Sequence, residues 1–313
     1  MIKIKLLKED AKPEAVDGRL FPIKLSIAKK QSGISVAAST TGQGDQQQQD
    51  DVVKSQQADS IPANQLLPGQ SSMDLDKFVG MAIQMFLRIP SPPGGFPKGP
   101  GGDLGAIISS DNHIMDGHHR WAATICVNPQ APVGGLKVGM PAAKLIGVLN
   151  AWTVAHGGNG KQSTHMLKDL TGDVVAKRVM EIVTRPEGLT GGKTPIPKEQ
   201  LDKYMKIART NAQQMSEKMK QNWDSFGAYK KIQDWMPTKI DMPAIEPDQL
   251  QKVASDLMSG KMDVNPPYSK ATQNQSGALA QKGVATNPQQ MKANKTIKET
   301  LGRWRELAGI VKG

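Results

Sequence analysis

The chain has 313 residues, of which 38% are hydrophobic and 4% aromatic, and its formal net charge is +11. With 31 glycines and 21 prolines, much of the chain is not expected in a packed core. A single cysteine excludes an internal disulfide framework and a thiolate zinc site, and no uncharged apolar run approaches the ~20 residues that cross a bilayer. We therefore expect a soluble, intracellular protein with no membrane contact.

The first 60 residues are predicted to contain little regular structure. Within residues 1–30, the segments IKIKLL and LFPIKLSI predict a pair of short strands. Residues 31–60 are rich in Ser, Thr, Gly, Gln and Asp, which is typical of a disordered linker, because such a composition buries too little apolar area to offset the loss of chain entropy.

Residues 61–155 are predicted to be a compact domain that begins with a strand and a helix. The segment IPANQLL indicates the strand. The segment LDKFVGMAIQMFLRI indicates a helix that is capped by Ser71 or Ser72 and stopped by Pro90. One face of this helix carries the apolar residues Leu75, Val79, Ala82, Ile83 and Phe86.

The second half of this domain is predicted to contain a hairpin, a helix and a strand. The segments LGAIISS and HIMD, joined by Ser-Asp-Asn, indicate the hairpin. The segment DGHHRWAATICV indicates a turn into a helix, and AAKLIGVL indicates the last strand.

The C-terminal half is predicted to be helical and basic. Residues 156–270 form a helical accessory region with a long helix over 198–222, and residues 271–313 a linker and an amphipathic helix. These two regions carry net charges of +4 and +5, whereas residues 61–155 are almost neutral. The basic half is therefore a candidate for nucleic-acid binding, with Trp223, Trp235 and Trp304 either stacking on bases or packing in a core. The terminal helix is a candidate for docking to a protein partner.

The segment Asp116 to Arg120, DGHHR, carries the most specific chemistry. Gly117 permits a sharp turn from strand to helix and a close approach of a ligand to the backbone. The first turn of the following helix presents unpaired N–H groups and the positive end of the helix dipole, which favour an anion. His119 and Arg120 add hydrogen-bond donors at the same end. The pattern predicts a phosphate site.

These residues resemble the ParB/sulfiredoxin-like superfamily. Sulfiredoxins have G-C-H-R-Y-A-A at this place and ParB proteins have G-E-R-R, while the free serine kinase-like and uncharacterised ParB-like proteins carry the D-G-H-H-R variant that is found here. The resemblance covers about residues 61–150. It implies an α+β fold, namely a small mixed-sheet domain that binds nucleotide phosphates, here joined to a mainly helical C-terminal region and disordered linkers.

The resemblance also implies roles for individual residues. Lys77, Gly117, His119 and Arg120 match the positions that bind the phosphates of ATP or CTP, with Mg²⁺ as the accompanying ion. His118 stands where sulfiredoxins have their reactive cysteine, which excludes sulfinic acid repair. Gly80 and Gln84 replace hydroxyl residues of sulfiredoxins, so the choice of nucleotide stays open.

Three of these residues have alternative interpretations. His118 is a candidate general base or transient phosphate acceptor, or else a surface histidine that orients the loop. Asp116 is a candidate base and Mg²⁺ ligand, or else the cap of the helix. Arg120 grips phosphate, or else pairs with a carboxylate.

The sequence therefore predicts nucleotide-phosphate binding, with ATP hydrolysis or phosphoryl transfer as the expected reaction. A second interpretation is a non-enzymatic structural or DNA-associated protein, phage-encoded, that uses its basic C-terminal half. A third is a ParB-like nuclease, for which the sequence offers no paired carboxylates. The expected location is the cytoplasm, or a virion if the protein is phage-encoded.

Overall fold

The structure is a computed structural model that describes residues 23–30, 51–89, 99–156, 165–185, 198–245, 249–262 and 264. The chain divides into two compact units. The larger consists of residues 54–146 and 160–247, and the smaller of residues 1–53, 147–159 and 248–313.

The larger unit contains all the described strands and most of the described helices. In chain order they are β1 (Ser55–Pro62), β2 (Leu67–Pro68), β3 (Ser72–Met73), α2 (Leu75–Phe86), β4 (Gly102–Ile108), β5 (His113–Asp116), α3 (His118–Val127), β6 (Pro132–Val138), β7 (His165–Met166), α5 (Gly172–Ile182), α6 (Lys198–Thr210) and α7 (Ala212–Phe226). The smaller unit contains α1 (Leu25–Lys30) and α8 (Leu250–Met258), while α4 (Ala142–Ala155) begins in the larger unit and ends in the smaller one.

A mixed five-stranded sheet forms the frame of the larger unit. The spatial order of its strands is β1, β6, β4, β5, β2. The pairs β1/β6 and β4/β5 are antiparallel, and β6/β4 and β5/β2 are parallel. Strands β3 and β7 form a separate antiparallel pair. The predicted α+β class with a mixed sheet is confirmed.

The core of the larger unit joins its N-terminal and C-terminal parts. Helices α2 and α3 pack against α5 and α7. Phe78 of α2 stacks on Trp223 of α7, with ring centroids 5.2 Å apart. Trp121 of α3 meets the edge of Phe226 at 5.5 Å. Such aromatic pairs add about 0.5–1.5 kcal/mol beyond the area they bury. Helices that were predicted to form an accessory region after residue 155 are thus part of one core, and the fully buried Trp223 belongs to it.

Several predicted elements are confirmed. The helix predicted from LDKFVGMAIQMFLRI is α2, and its apolar stripe is buried apart from the partly buried Phe86. Its cap differs, because the Asp74 carboxylate, and neither Ser71 nor Ser72, accepts the Lys77 N–H at 3.1 Å. The hairpin β4–β5 and the helix that opens after Gly117 are also observed.

The predicted last strand of the domain is wrong. The segment AAKLIGVL lies in helix α4, whose first N–H, from Ala142, donates to the Asp111 carboxylate at 2.9 Å. The last strand is instead β6, formed by PVGGLKV. The two adjacent glycines of this segment are typical of a loop, which is why the strand was not predicted. Gly135 is needed there because a Cβ would collide with the backbone of Ala106 on the neighbouring strand.

Three further predictions differ from the structure. Helix α1 begins inside the predicted second strand, LFPIKLSI, and covers its residues 25–27. Strand β1 covers residues 55–60 of the predicted linker, because its polar sequence pairs through the backbone at the edge of the sheet. The long helix over 198–222 is broken at Asn211 into α6 and α7. The first predicted strand, residues 31–50 and the C-terminal helix with Trp304 lie outside the described residues.

Within the described part of the chain, no helix combines the length and the apolar character that a membrane span requires.

Candidate functional site

The candidate site lies where two parallel strands end. Strand β2 pairs in parallel with β5, so the carboxyl ends of both strands reach the same edge of the sheet. Gly69 follows β2 and Gly117 follows β5. Gly117 has φ of 91° and is the N-cap of α3, with no side chain capping the helix. The predicted glycine turn is confirmed, because this left-handed backbone favours glycine.

His118 is the first residue of α3, and its side chain is buried and holds the β2–β3 connection. The residue is 2% exposed, and its Nε2 accepts a hydrogen bond from the Gly69 N–H at 3.2 Å. Burial lowers the pKa of His118 well below its ordinary value, and the charges of Lys239 and Arg120 act in the same direction. The ring is therefore neutral, with its proton on Nδ1. His118 does orient a loop, but from the interior and not from the surface.

His119 makes the equivalent contact with helix α2. The residue is 7% exposed, and its Nε2 accepts the N–H of Asp74 at 3.1 Å. Because Asp74 is the N-cap of α2 and His119 lies in the first turn of α3, this bond places the two helix N-termini side by side. Burial lowers the pKa of His119 well below its ordinary value, and the charges of Lys77, Lys239 and Arg120 lower it further.

Arg120 and Asp116 form an ion pair across the first turn of α3. The guanidinium Nη2 lies 3.2 Å from the Asp116 carboxylate and 3.3 Å from the Gly105 carbonyl oxygen. Pairing of Arg120 with a carboxylate, one of the two interpretations of its role, is thus observed. The interpretation of Asp116 as the helix cap is wrong, since the N-cap is Gly117 and the Asp116 carboxylate accepts from Arg120.

Asp116, the expected Mg²⁺ ligand, is engaged within the protein. Asp116 is already paired with Arg120. Among the residues that the structure describes, no group of three or more His, Cys, Asp and Glu side chains is arranged to hold a metal ion. Mg²⁺ binding by Asp116 stays a prediction.

Lys77 lies on α2, beside the junction of the two helices. Its side chain is exposed, and its charge is the largest electrostatic contribution to the lowered pKa of His119. The structure thus brings together all four residues that were predicted to bind phosphate, namely Lys77, Gly117, His119 and Arg120.

Lys239 is a member of this site that the sequence did not indicate. Residues 235–241, which we call the strap, are held against the β2–β3 connection by three hydrogen bonds. The Ser71 N–H and Oγ donate to the Pro237 carbonyl at 2.8 Å and 3.1 Å, and the Lys239 N–H donates to Ser72 Oγ at 2.8 Å. No local pattern reveals Lys239, because more than a hundred residues separate the strap from the strands it contacts.

Trp235 anchors the other end of the strap. Its ring meets the buried His113 of β5 at 5.1 Å, with the two rings nearly perpendicular. Trp235 was a candidate for stacking on nucleic-acid bases, but it is half-buried within the protein.

Comparison of the chain with models of protein families, with curated proteins and with solved structures finds no match. The resemblance to the ParB/sulfiredoxin-like superfamily stays a prediction that rests on the residues themselves.

Proposed function

We propose that this protein binds the phosphate groups of a nucleotide, ATP or CTP, through a ParB/sulfiredoxin-like domain, at the junction of the N-termini of α2 and α3. The observation that carries the proposal is the hydrogen bond from the Asp74 N–H to His119, which sets two helix N-termini side by side. Each terminus carries roughly half a positive elementary charge, and each favours an anion.

Side-chain charges at the junction support the same ligand. Lys77 and Arg120 act on His119 from two different helices. A neutral His119 fits this role, since its protonation would remove the acceptor for the Asp74 N–H that joins the two N-termini. In the proposed site, Lys77 and the first N–H groups of α3 bind phosphate oxygens. Arg120, paired with Asp116, contributes its positive charge at the same place.

The geometry supports binding better than hydrolysis or phosphoryl transfer. A base must reach the proton that it abstracts. His118 Nε2 already accepts the Gly69 N–H inside the protein, and the Asp116 carboxylate is paired with Arg120. The proposal therefore assigns phosphate binding to the site and assigns it no reaction.

Thermal unfolding with and without ligand tests the proposal. ATP, CTP and inorganic tripolyphosphate are each added with and without Mg²⁺, and a ligand at one hundred times its Kd stabilises the folded state by about 2.7 kcal/mol. We expect a rise in Tm that Arg120→Ala and Lys77→Met abolish. The matched control is Lys218→Met, which removes an exposed lysine from α7. Absence of a shift with all three ligands would refute the proposal.

The alternative of nucleic-acid binding through the basic C-terminal half stays a prediction. Gel shifts of the full chain with DNA over a salt series distinguish nucleic-acid binding from nucleotide binding, because phosphate contacts along a duplex predict that affinity for DNA falls steeply as salt is raised.

A further inference from the structure

One side-chain nitrogen joins the first turns of α2 and α3. His119 Nε2, in the first turn of α3, accepts the N–H of Asp74, the N-cap of α2, at 3.1 Å. The histidine is 7% exposed, whereas Asp74 is half-buried. A neutral imidazole accepts through one nitrogen only, so its proton is on Nδ1 and a second proton has to enter at Nε2. Protonation of His119 is therefore incompatible with this hydrogen bond.

Other contacts hold helix α2 in place when this hydrogen bond is broken. Phe78 of α2 stacks on Trp223 of α7, with ring centroids 5.2 Å apart. In the first turn of α2, Asp76 Oδ1 lies 2.6 Å from Arg178 Nε of α5. Release of the Asp74 N–H from the imidazole thus separates the first turns of α2 and α3 and leaves the helices packed in the core.

We propose that the hydrogen bond between Asp74 and His119 is a pH switch, which opens locally when the ring takes up a proton and so separates the N-termini of α2 and α3 at acid pH. This inference is independent of the proposed function, because the switch needs no bound ligand.

The groups around His119 set the direction of the response. The charged ones are Lys77 of α2, Arg120 of α3 and Lys239 of the strap, and all three are cations. The neighbouring titratable ring, His118, is itself neutral. Burial, together with the three cations, lowers the pKa of His119 well below its ordinary value of 6.5, so the closed ring stays neutral and the proton is taken up in the open state. Opening is therefore favoured as the pH falls below 6.5, and the hydrogen bond is kept above it.

Uptake of one proton per opening fixes the size of the effect. Because the freed ring of His119 titrates near pH 6.5, the equilibrium constant for opening should rise about tenfold between pH 7.5 and pH 5.5. The rise is larger if a second histidine is freed in the same opening. The contribution of His119 is therefore measured as the difference between the wild type and a variant that lacks this ring.

Amide hydrogen exchange, followed by NMR on the full chain, tests the switch. The exchange rate of the Asp74 amide, divided by its intrinsic rate at each pH, gives the equilibrium constant for opening when reclosing is fast. The matched amide is that of Gly172, which begins α5 and donates at 2.8 Å to the carboxylate of Asp224 on another helix. From pH 7.5 to pH 5.5 we expect the opening constant to rise about tenfold or more at Asp74 and to stay almost constant at Gly172.

The matched variant is His119→Gln, whose side-chain oxygen still accepts an N–H but does not titrate. We expect the rise at Asp74 to be about tenfold smaller in this variant than in the wild type. If the variant does not fold, the comparison of Asp74 with Gly172 in the wild type decides the question alone.

Three results would overturn the inference. The first is an equal pH dependence at Asp74 in the wild type and in His119→Gln. The second is an equal rise at Asp74 and Gly172, which would show that the response does not depend on the imidazole. The third is exchange of the Asp74 amide no faster than that of the slowest core amides at pH 7.5, because opening would then require global unfolding.

Discussion

The two buried histidines predict how stability depends on pH. His118 and His119 each accept a backbone N–H inside the protein, and the pKa of each is lowered well below its ordinary value by burial and by the nearby cations. In the unfolded chain both rings take up a proton near pH 6.5, whereas in the folded protein they stay neutral. Below pH 6.5 the unfolded state therefore binds more protons, and the free energy of unfolding falls as the pH falls.

The size of the effect follows from this difference in proton uptake. A histidine that is protonated only in the unfolded state lowers the free energy of unfolding by about 1.4 kcal/mol between pH 7.5 and pH 5.5, so the pair lowers it by about 2.7 kcal/mol. The loss continues to lower pH until the folded rings themselves take up protons. The stability that the neutral rings provide is thus fully present above pH 6.5.

Urea unfolding at pH 7.5 and pH 5.5 measures this dependence. The comparison is with the double variant His118→Gln/His119→Gln, whose side-chain oxygens still accept the two N–H groups but do not titrate. We expect the double variant to lose about 2.7 kcal/mol less than the wild type over this interval, and each single variant about half of that difference. The other histidines of the chain cancel in this comparison. The reasoning is refuted if wild type and double variant lose the same stability.

Two further predictions concern the frame of the site. Gly69→Ala would drive a Cβ into the Ile114 carbonyl oxygen and disturb the contact with His118. Thermal unfolding should therefore show that the free energy of unfolding falls by about 2 kcal/mol or more. In the control Gly99→Ala a Cβ meets nothing within 4 Å, so the Tm should stay almost unchanged. Equal effects of the two substitutions would contradict the packing described at Gly69. Cys126 is fully buried, and burial raises the pKa of its thiol. A thiol reagent such as DTNB should therefore label the native protein only as fast as the protein unfolds, and should label it at once in denaturant. Immediate labelling of the native protein would place Cys126 at the surface.

The histidine pair also shows how burial changes a role that sequence suggests. The resemblance to the ParB/sulfiredoxin-like superfamily implies that the side chains of His119 and Arg120 bind phosphate. Here both imidazole Nε2 atoms accept hydrogen bonds from backbone N–H groups, so the rings join structural elements. Buried polar atoms are almost always paired, which is why the histidines bond inward once they are enclosed.

Local sequence determined much of the frame of the candidate site. The apolar stripe of α2, the turn residues between β4 and β5, and the glycine that opens α3 each depend on neighbours within a few positions, and all three are found where they were predicted. Gly117 adopts the left-handed backbone that its place between strand and helix requires. These features could be predicted because helix periodicity and turn chemistry are local properties of the chain.

The remaining features were decided by contacts between distant residues. In the sequence, the glycines around Gly135 resemble a loop, but in the structure they lie in a strand where Ala106 of the neighbouring strand excludes a Cβ. The segment AAKLIGVL was predicted to be a strand, but it forms a helix whose first N–H is bound by Asp111. Lys239 joins the site only because Ser71 and Ser72 hold the strap from more than 160 residues away. The sequence by itself determined that a glycine turn opens a helix after β5, and it predicted an anion site there. Only the tertiary structure decided how the side chains at this turn are engaged, because it buried the two histidines against the backbone N–H groups of Gly69 and Asp74 and paired Arg120 with Asp116.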